Sequence, residues 1–144
     1  MSGERSARHH LQGRYLLLQQ VRREVSPVMM LIWRIAIRHD YLYSMFSRES
    51  PVFPPIIQDQ DEMHSVWINQ LLLSRDRSEE AKEWTLAHVA LDNLVHRACH
   101  LAKRARQLRT SVMYTTSYEV SLQQEIISLQ NSHENWKLRP IIQR

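Results

Sequence analysis

From residue 11 to 25 the apolar side chains Tyr15, Leu16, Leu18, Val21 and Val25 recur every three or four positions, with Arg14, Arg22, Arg23 and Glu24 outside the stripe. That spacing predicts an amphipathic helix. The stretch VSPV at 25–28 stops it and starts another, because Ser26 can cap and Pro27 lacks an N–H that would be unpaired at a first helical position anyway. The second helix should run to about Phe46. It is apolar nearly all round as far as Ile37, which predicts a central core element or a subunit interface. Residues 47–60 carry Pro51, Pro54 and Pro55 and are predicted to be a loop, since each proline removes a donor and biases the preceding residue towards extended backbone. Pro51 and Pro54 have the P-x-x-P spacing of SH3-type ligands, but a stiff proline spacer is the commoner use of such a loop.

A third helix should start near Asp61 and turn Met63, Val66, Trp67, Leu71 and Leu72 inward. Asp76 followed by Glu79 has the form of a capping box, and Ser78 before Glu79 and Glu80 is an overlapping alternative, so a helix begins near residue 77. Its apolar positions Ala81, Trp84, Ala87, Leu91, Leu94, Ala98, Leu101, Ala105 and Leu108 keep helical register to about 108. Roughly 32 residues at 1.5 Å each approach 50 Å, longer than a small bundle is wide, so the far half must pack on something else. After 110–118, rich in β-branched and aromatic residues that disfavour helix, a last helix over 120–136 offers Val120, Leu122, Ile126, Ile127 and Leu129 as that partner. The partner helix belongs to the same chain or to a second copy. The pattern therefore predicts an all-α chain: a flexible basic tail at 1–9, one helical domain over 10–138 and a C-terminal tail at 139–144. The domain is a small bundle of about five helices with one long member (77–108), which dimerisation would complete if the chain alone does not.

Composition supports helices: 144 residues suffice for one core, and two Gly with five Pro starve a β-protein of turns. Cys99 is the sole cysteine, which rules out an internal disulfide and points to a reducing compartment. The longest apolar run, 27–37, contains Arg34 and is about half the roughly 20 residues of a membrane span. The N-terminus has no apolar stretch of the secretory kind. Net charge is +4, distributed as +5 over 1–39, −6 over 40–92 and +5 over 93–144. Such blocks attract one another within a fold or between subunits, or face an anionic partner.

Candidate chemistry is sparse. His88, Asp92, His96 and His100 recur every fourth residue, and His96 with His100 is a weak metal-clamp candidate on adjacent turns. The spacing drifts by about 40 degrees per repeat, so all four cannot meet at one ion, and a solvated face supported by Asp92 is the commoner reading. Cys99 beside small residues reads as a buried apolar group, and no Gly-rich turn exists to hold a phosphate or an exposed serine. We therefore expect no enzyme, no resident metal and no cofactor. Arg97, Lys103, Arg104, Arg106 and Arg109 form a basic stretch without an acid among them, suited to weak non-specific RNA contact, to anionic lipid or simply to a helix C-terminus. No aromatic residues interleave there to stack bases. Trp33, Trp67 and Trp84, with Leu91 and Leu94, are the expected structural core; Trp136 too is spaced on a helix face.

One segment carries a resemblance. Trp67-Ile68-Asn69-Gln70, then Ser78-Glu79-Glu80, then Leu91, Asn93, Leu94, Val95 and Arg97 resemble the helical C-terminal region of paramyxovirus accessory C proteins, above all the morbillivirus form. The match covers about 31 residues with a one-residue gap in the turn. A long basic N-terminal region of that family has no counterpart here, and the proline-rich loop has none there. Arg outnumbers Lys sixteen to three and Gly is scarce, as suits a gene written over another reading frame. The resemblance implies a non-enzymatic factor that regulates viral RNA synthesis, antagonises the host interferon response and has a role in budding. Its partners would be the viral polymerase complex and host innate-immunity or ESCRT factors, and its place of action the host-cell cytoplasm, with the nucleus second. A cellular helical adaptor or coiled-coil assembly subunit is the alternative.

Overall fold

The computed structural model describes residues 2–20, 27–55, 62–110 and 116–144, and all their regular structure is helical. The helices are α1 (Ser2–Gln20), α2 (Pro27–Ser47), α3 (Glu62–Leu73), α4 (Glu79–Thr110), α5 (Thr116–Lys137) and α6 (Pro140–Gln143). The long helix has its expected 32 residues, displaced by two. Ser78 begins it: its hydroxyl accepts from the Ala81 N–H at 3.2 Å and its carbonyl from the Lys82 N–H at 3.1 Å, so the serine, the alternative to Asp76, supplies the cap.

Both ends differ from the expected tails. Residues 2–9 belong to α1, and Arg8 donates to the Ser50 carbonyl at 3.1 Å beside Glu49, which ties the first turns to the end of α2. At the other end Pro140 starts a last short helix that buries Ile141. Positions 21–26, expected to finish the first helix and cap the second, lie outside the described residues, as do 56–61, 111–115 and the side chain of Met63.

α2 and α4 run parallel, with Arg38 against Asp92, Asp40 against His96 and the Tyr41 carbonyl near Cys99. α1 crosses back over α2, where Arg14 meets His39 and Leu18 packs with Ala36 and Ile37. α5 returns antiparallel along α4: Arg104 pairs with Glu125, and the Trp136 Nε1–H donates to the Ala87 carbonyl at 2.8 Å. The partner for the far half of the long helix is thus found within the chain.

The expected loop is the larger departure. Ser47 still closes α2, and residues 48–55 fold back over it so that Phe53 is fully buried against Tyr15 and Trp33, with ring centroids 5.0 and 5.5 Å apart. Pro51 is buried as well, which leaves only Pro54 of the P-x-x-P pair for a groove to read. Two apolar clusters result: one around Leu18, Ala36, Ile37 and Phe53, the other around Met30, Trp67, Leu71 and Val89.

Candidate functional site: the seam between α2 and α4 and its open end

On a helix of 3.6 residues per turn, Ala87, Leu91, Leu94, Ala98 and Leu101 lie on one side of α4, and Val89, Asp92, Asn93, His96 and His100 lie roughly opposite. The first side is the apolar stripe that turns towards α5, as the Trp136–Ala87 bond marks. The second, read from sequence as solvated, faces α2 instead. His96 is 1% exposed, and Asp92 and Asn93 are buried.

The lower half of this seam is a hydrogen-bonded lattice. Asp40, with no solvent exposure, accepts from the backbone N–H groups of Val52 at 2.7 Å and Phe53 at 2.9 Å, and from His96 Nε2 at 2.8 Å. His100 Nε2 donates to the Phe53 carbonyl at 2.7 Å. The Ser44 hydroxyl donates to the Glu49 carbonyl at 2.6 Å. Two backbone donors of an irregular segment would otherwise be buried unpaired, so Asp40 holds the 48–55 segment in place. Burial lowers the His100 pKa, opposed by its bond to Phe53, and burial likewise raises that of the Cys99 thiol. Higher up, both Asp92 oxygens accept from Arg38 Nε at 3.1 Å, and Tyr41 donates to one of them. The hydrogen bond to Asp92 raises the Arg38 pKa, and burial, before the Asp92 charge, raises that of Tyr41.

The metal-clamp candidates therefore have other occupations. The His96 and His100 rings meet edge to face with centroids 4.9 Å apart, one aimed at Asp40 and the other at a carbonyl, while His88 lies against Trp84. Among the described residues no group of three or more His, Cys, Asp or Glu is placed to hold a metal ion. Asp40 and His96 have the contact of an acid–base pair, yet their burial closes them to any substrate.

The upper end of the seam is different. Val28, Leu31, Arg34, Trp67, Gln70, Leu71, Ser74, Arg77 and Thr85 line an open groove of about 300 Å³ between α2, α3 and the start of α4. Behind it lies a pocket of about 10 Å³, bounded by Arg34, Asp92 and Asn93 among others. Arg34 Nε and Asn93 Nδ2 are buried there without a hydrogen-bond partner. Burial lowers the Arg34 pKa, and the neighbouring Arg38 and Arg77 add to that against the opposing charge of Asp92. The guanidinium is thus under-compensated.

Of the expected core, Trp67 is buried, Trp33 packs half-buried on the first cluster, and Leu91 and Leu94 are half-buried outside both clusters. Trp84 is a correction: it is 42% exposed, on the edge of the α4 stripe, with its ring 5.7 Å from His88. Met30 and Val89, rather than Trp84, Leu91 and Leu94, complete the buried cluster around Trp67. In the basic stretch, Arg104 is paired with Glu125 and Arg106 donates to the Arg48 carbonyl at 3.1 Å; Arg97 and Lys103 are half-exposed and Arg109 is exposed. Sequence reasoning missed Asp40 and Arg34, both embedded in the apolar α2. A single charge inside an otherwise apolar face was the available signal. No protein-family model, curated protein or solved structure matches the chain.

Proposed function

We propose that the chain is a non-enzymatic docking factor of the kind its 67–97 segment resembles, a viral accessory protein like the paramyxovirus C proteins. It would act on viral RNA synthesis and on interferon signalling by occupying protein surfaces, with budding through ESCRT contacts as a further role. The observation that carries this reading is the outward face of α2. Val28, Leu31, Ile35, Leu42 and Phe46 are all exposed, at 65, 55, 44, 43 and 87%. They line the side of α2 away from the core over about 27 Å, with exposed Arg38 and His39 between Ile35 and Leu42. A row of that size on a folded helix is a contact surface in waiting. The reactive side chains, by contrast, are engaged in holding the fold together, which favours binding over turnover.

Non-specific RNA binding is less well supported, because Arg104 and Arg106 already have internal partners. No helix of the described residues is long and apolar enough to cross a membrane. The test is expression of the chain in interferon-treated cells and alongside a paramyxovirus minireplicon, with one reporter for each. The wild type is expected to lower both outputs. An Ile35→Asp/Leu42→Asp variant that keeps its helical circular dichroism should lose both effects. A wild-type chain that alters neither reporter contradicts the viral reading and leaves the cellular adaptor.

A further inference from the structure

The groove at the upper end of the seam combines three features. Its walls are apolar, formed by Val28, Leu31, Trp67 and Leu71. Two cations from different elements border it, Arg34 on α2 and Arg77 in the turn before α4. Neither has a carboxylate within ion-pairing distance among the described residues; Arg77 reaches only the Thr85 hydroxyl, at 3.5 Å. A half-buried guanidinium without a carboxylate beside it is costly unless something anionic meets its accessible part, and Arg38 cannot help because it is itself positive and already bound to Asp92.

The surroundings narrow the choice of anion. Asp76 is exposed next to Arg77, so an extended polyanion such as an RNA strand would meet a like charge there. A single carboxylate carries one charge and meets far less of that repulsion. At about 300 Å³ the groove has the volume of a few side chains, and Val28 and Leu31 continue it onto the exposed row of α2. We infer that this groove receives a short acidic segment of a partner protein, in which an Asp or Glu side chain meets Arg34 and Arg77 while an adjacent bulky apolar residue packs on Leu31, Trp67 and Leu71. Gln70 and Ser74 supply neutral hydrogen-bonding groups along the same wall.

The inference rests on the docking reading above and gives that reading the chemistry of its partner. The test uses the full chain and a fluorescein-labelled decapeptide library, with Glu or Asp fixed beside Leu, Phe or Trp in a Gly-Ser background. A matched library carries Gln or Asn at the acidic position. Acidic peptides should be enriched, and changing the acid to its amide should weaken binding roughly tenfold, the worth of one charged hydrogen-bonded contact. Arg34→Met and the exposed-site variant Arg77→Gln should each weaken binding to a similar degree, and Lys103→Gln with Arg109→Gln should leave it unchanged. The second groove variant keeps the test decisive if the first fails to fold. Equal selection of acidic and amide peptides, full binding by Arg77→Gln, or equal competition by a single-stranded RNA decamer would each overturn the inference. Overturned in this way while the reporters above still respond, it would remove the groove and spare the docking function.

Discussion

The two ends of the α2–α4 seam are built from similar residues and treat them oppositely. At the lower end Asp40, His100 and Ser44 all find partners, and His96 leaves only Nδ1 unpaired. At the upper end the Nε of half-buried Arg34 and the Nδ2 of Asn93 lack partners, and Arg34 borders an open apolar groove. A satisfied buried network fixes a structure, whereas a half-buried cation without an anion is tolerated where binding supplies one. The difference separates a part of the molecule that holds from a part that waits.

The largest effect should come from Asp40→Ala, which strands two backbone N–H groups and the His96 ring. Chemical denaturation should show a loss of about 3–5 kcal/mol, the range for breaking a buried charged contact. A loss under about 1 kcal/mol would mean that the 48–55 segment is held by Phe53 alone. Next, Trp67→Ala should cost about 3–5 kcal/mol and Trp84→Ala about 1 kcal/mol or less, since only the first ring is buried. Equal losses would show that the two rings do equal work.

A smaller effect is expected from pH. Burial lowers the His100 pKa below its ordinary 6.5, so between that lowered value and 6.5 the unfolded chain binds more protons than the folded one. The contribution of His100 is therefore fully present above pH 6.5 and is lost as pH falls through 6.5 towards the lowered value. His100→Gln, whose amide can still donate to the Phe53 carbonyl, should flatten the fall in denaturation midpoint over that window. An unchanged slope would place the acid sensitivity elsewhere.

Much of the fold was legible from periodicity alone. The long helix, the Pro27 start of α2 and the presence of a last helix follow from spacing and caps, because these are local properties, whereas spacing left open whether Asp76 or Ser78 caps the long helix and whether its partner lies in the same chain. The lattice was not legible, for a physical reason. Asp40 stands 56 positions from His96 and 13 from Phe53, and nothing near any of the three announces the others. The apolar stripe of α4 was correctly seen and turns to α5; the polar residues opposite it, read as a solvated face, were the ones to meet α2. Proline punctuation at 51, 54 and 55 marked the loop without revealing that Phe53 lies at the core. Trp84 misled because helical spacing cannot distinguish the middle of a stripe from its edge. Arg34 was visible only as the charge that broke an apolar run.

The most direct test joins stability to binding in one variant. Arg34→Met replaces an under-paired, half-buried cation with an apolar side chain of similar reach. The account predicts that it raises the denaturation free energy by about 1 kcal/mol while weakening capture of acidic peptides roughly tenfold, the trade expected where a site is held ready at the expense of the fold. A destabilised Arg34→Met, or one that binds acidic peptides as the wild type does, would show instead that the arginine serves the structure, and the contrast between the two ends of the seam would not stand.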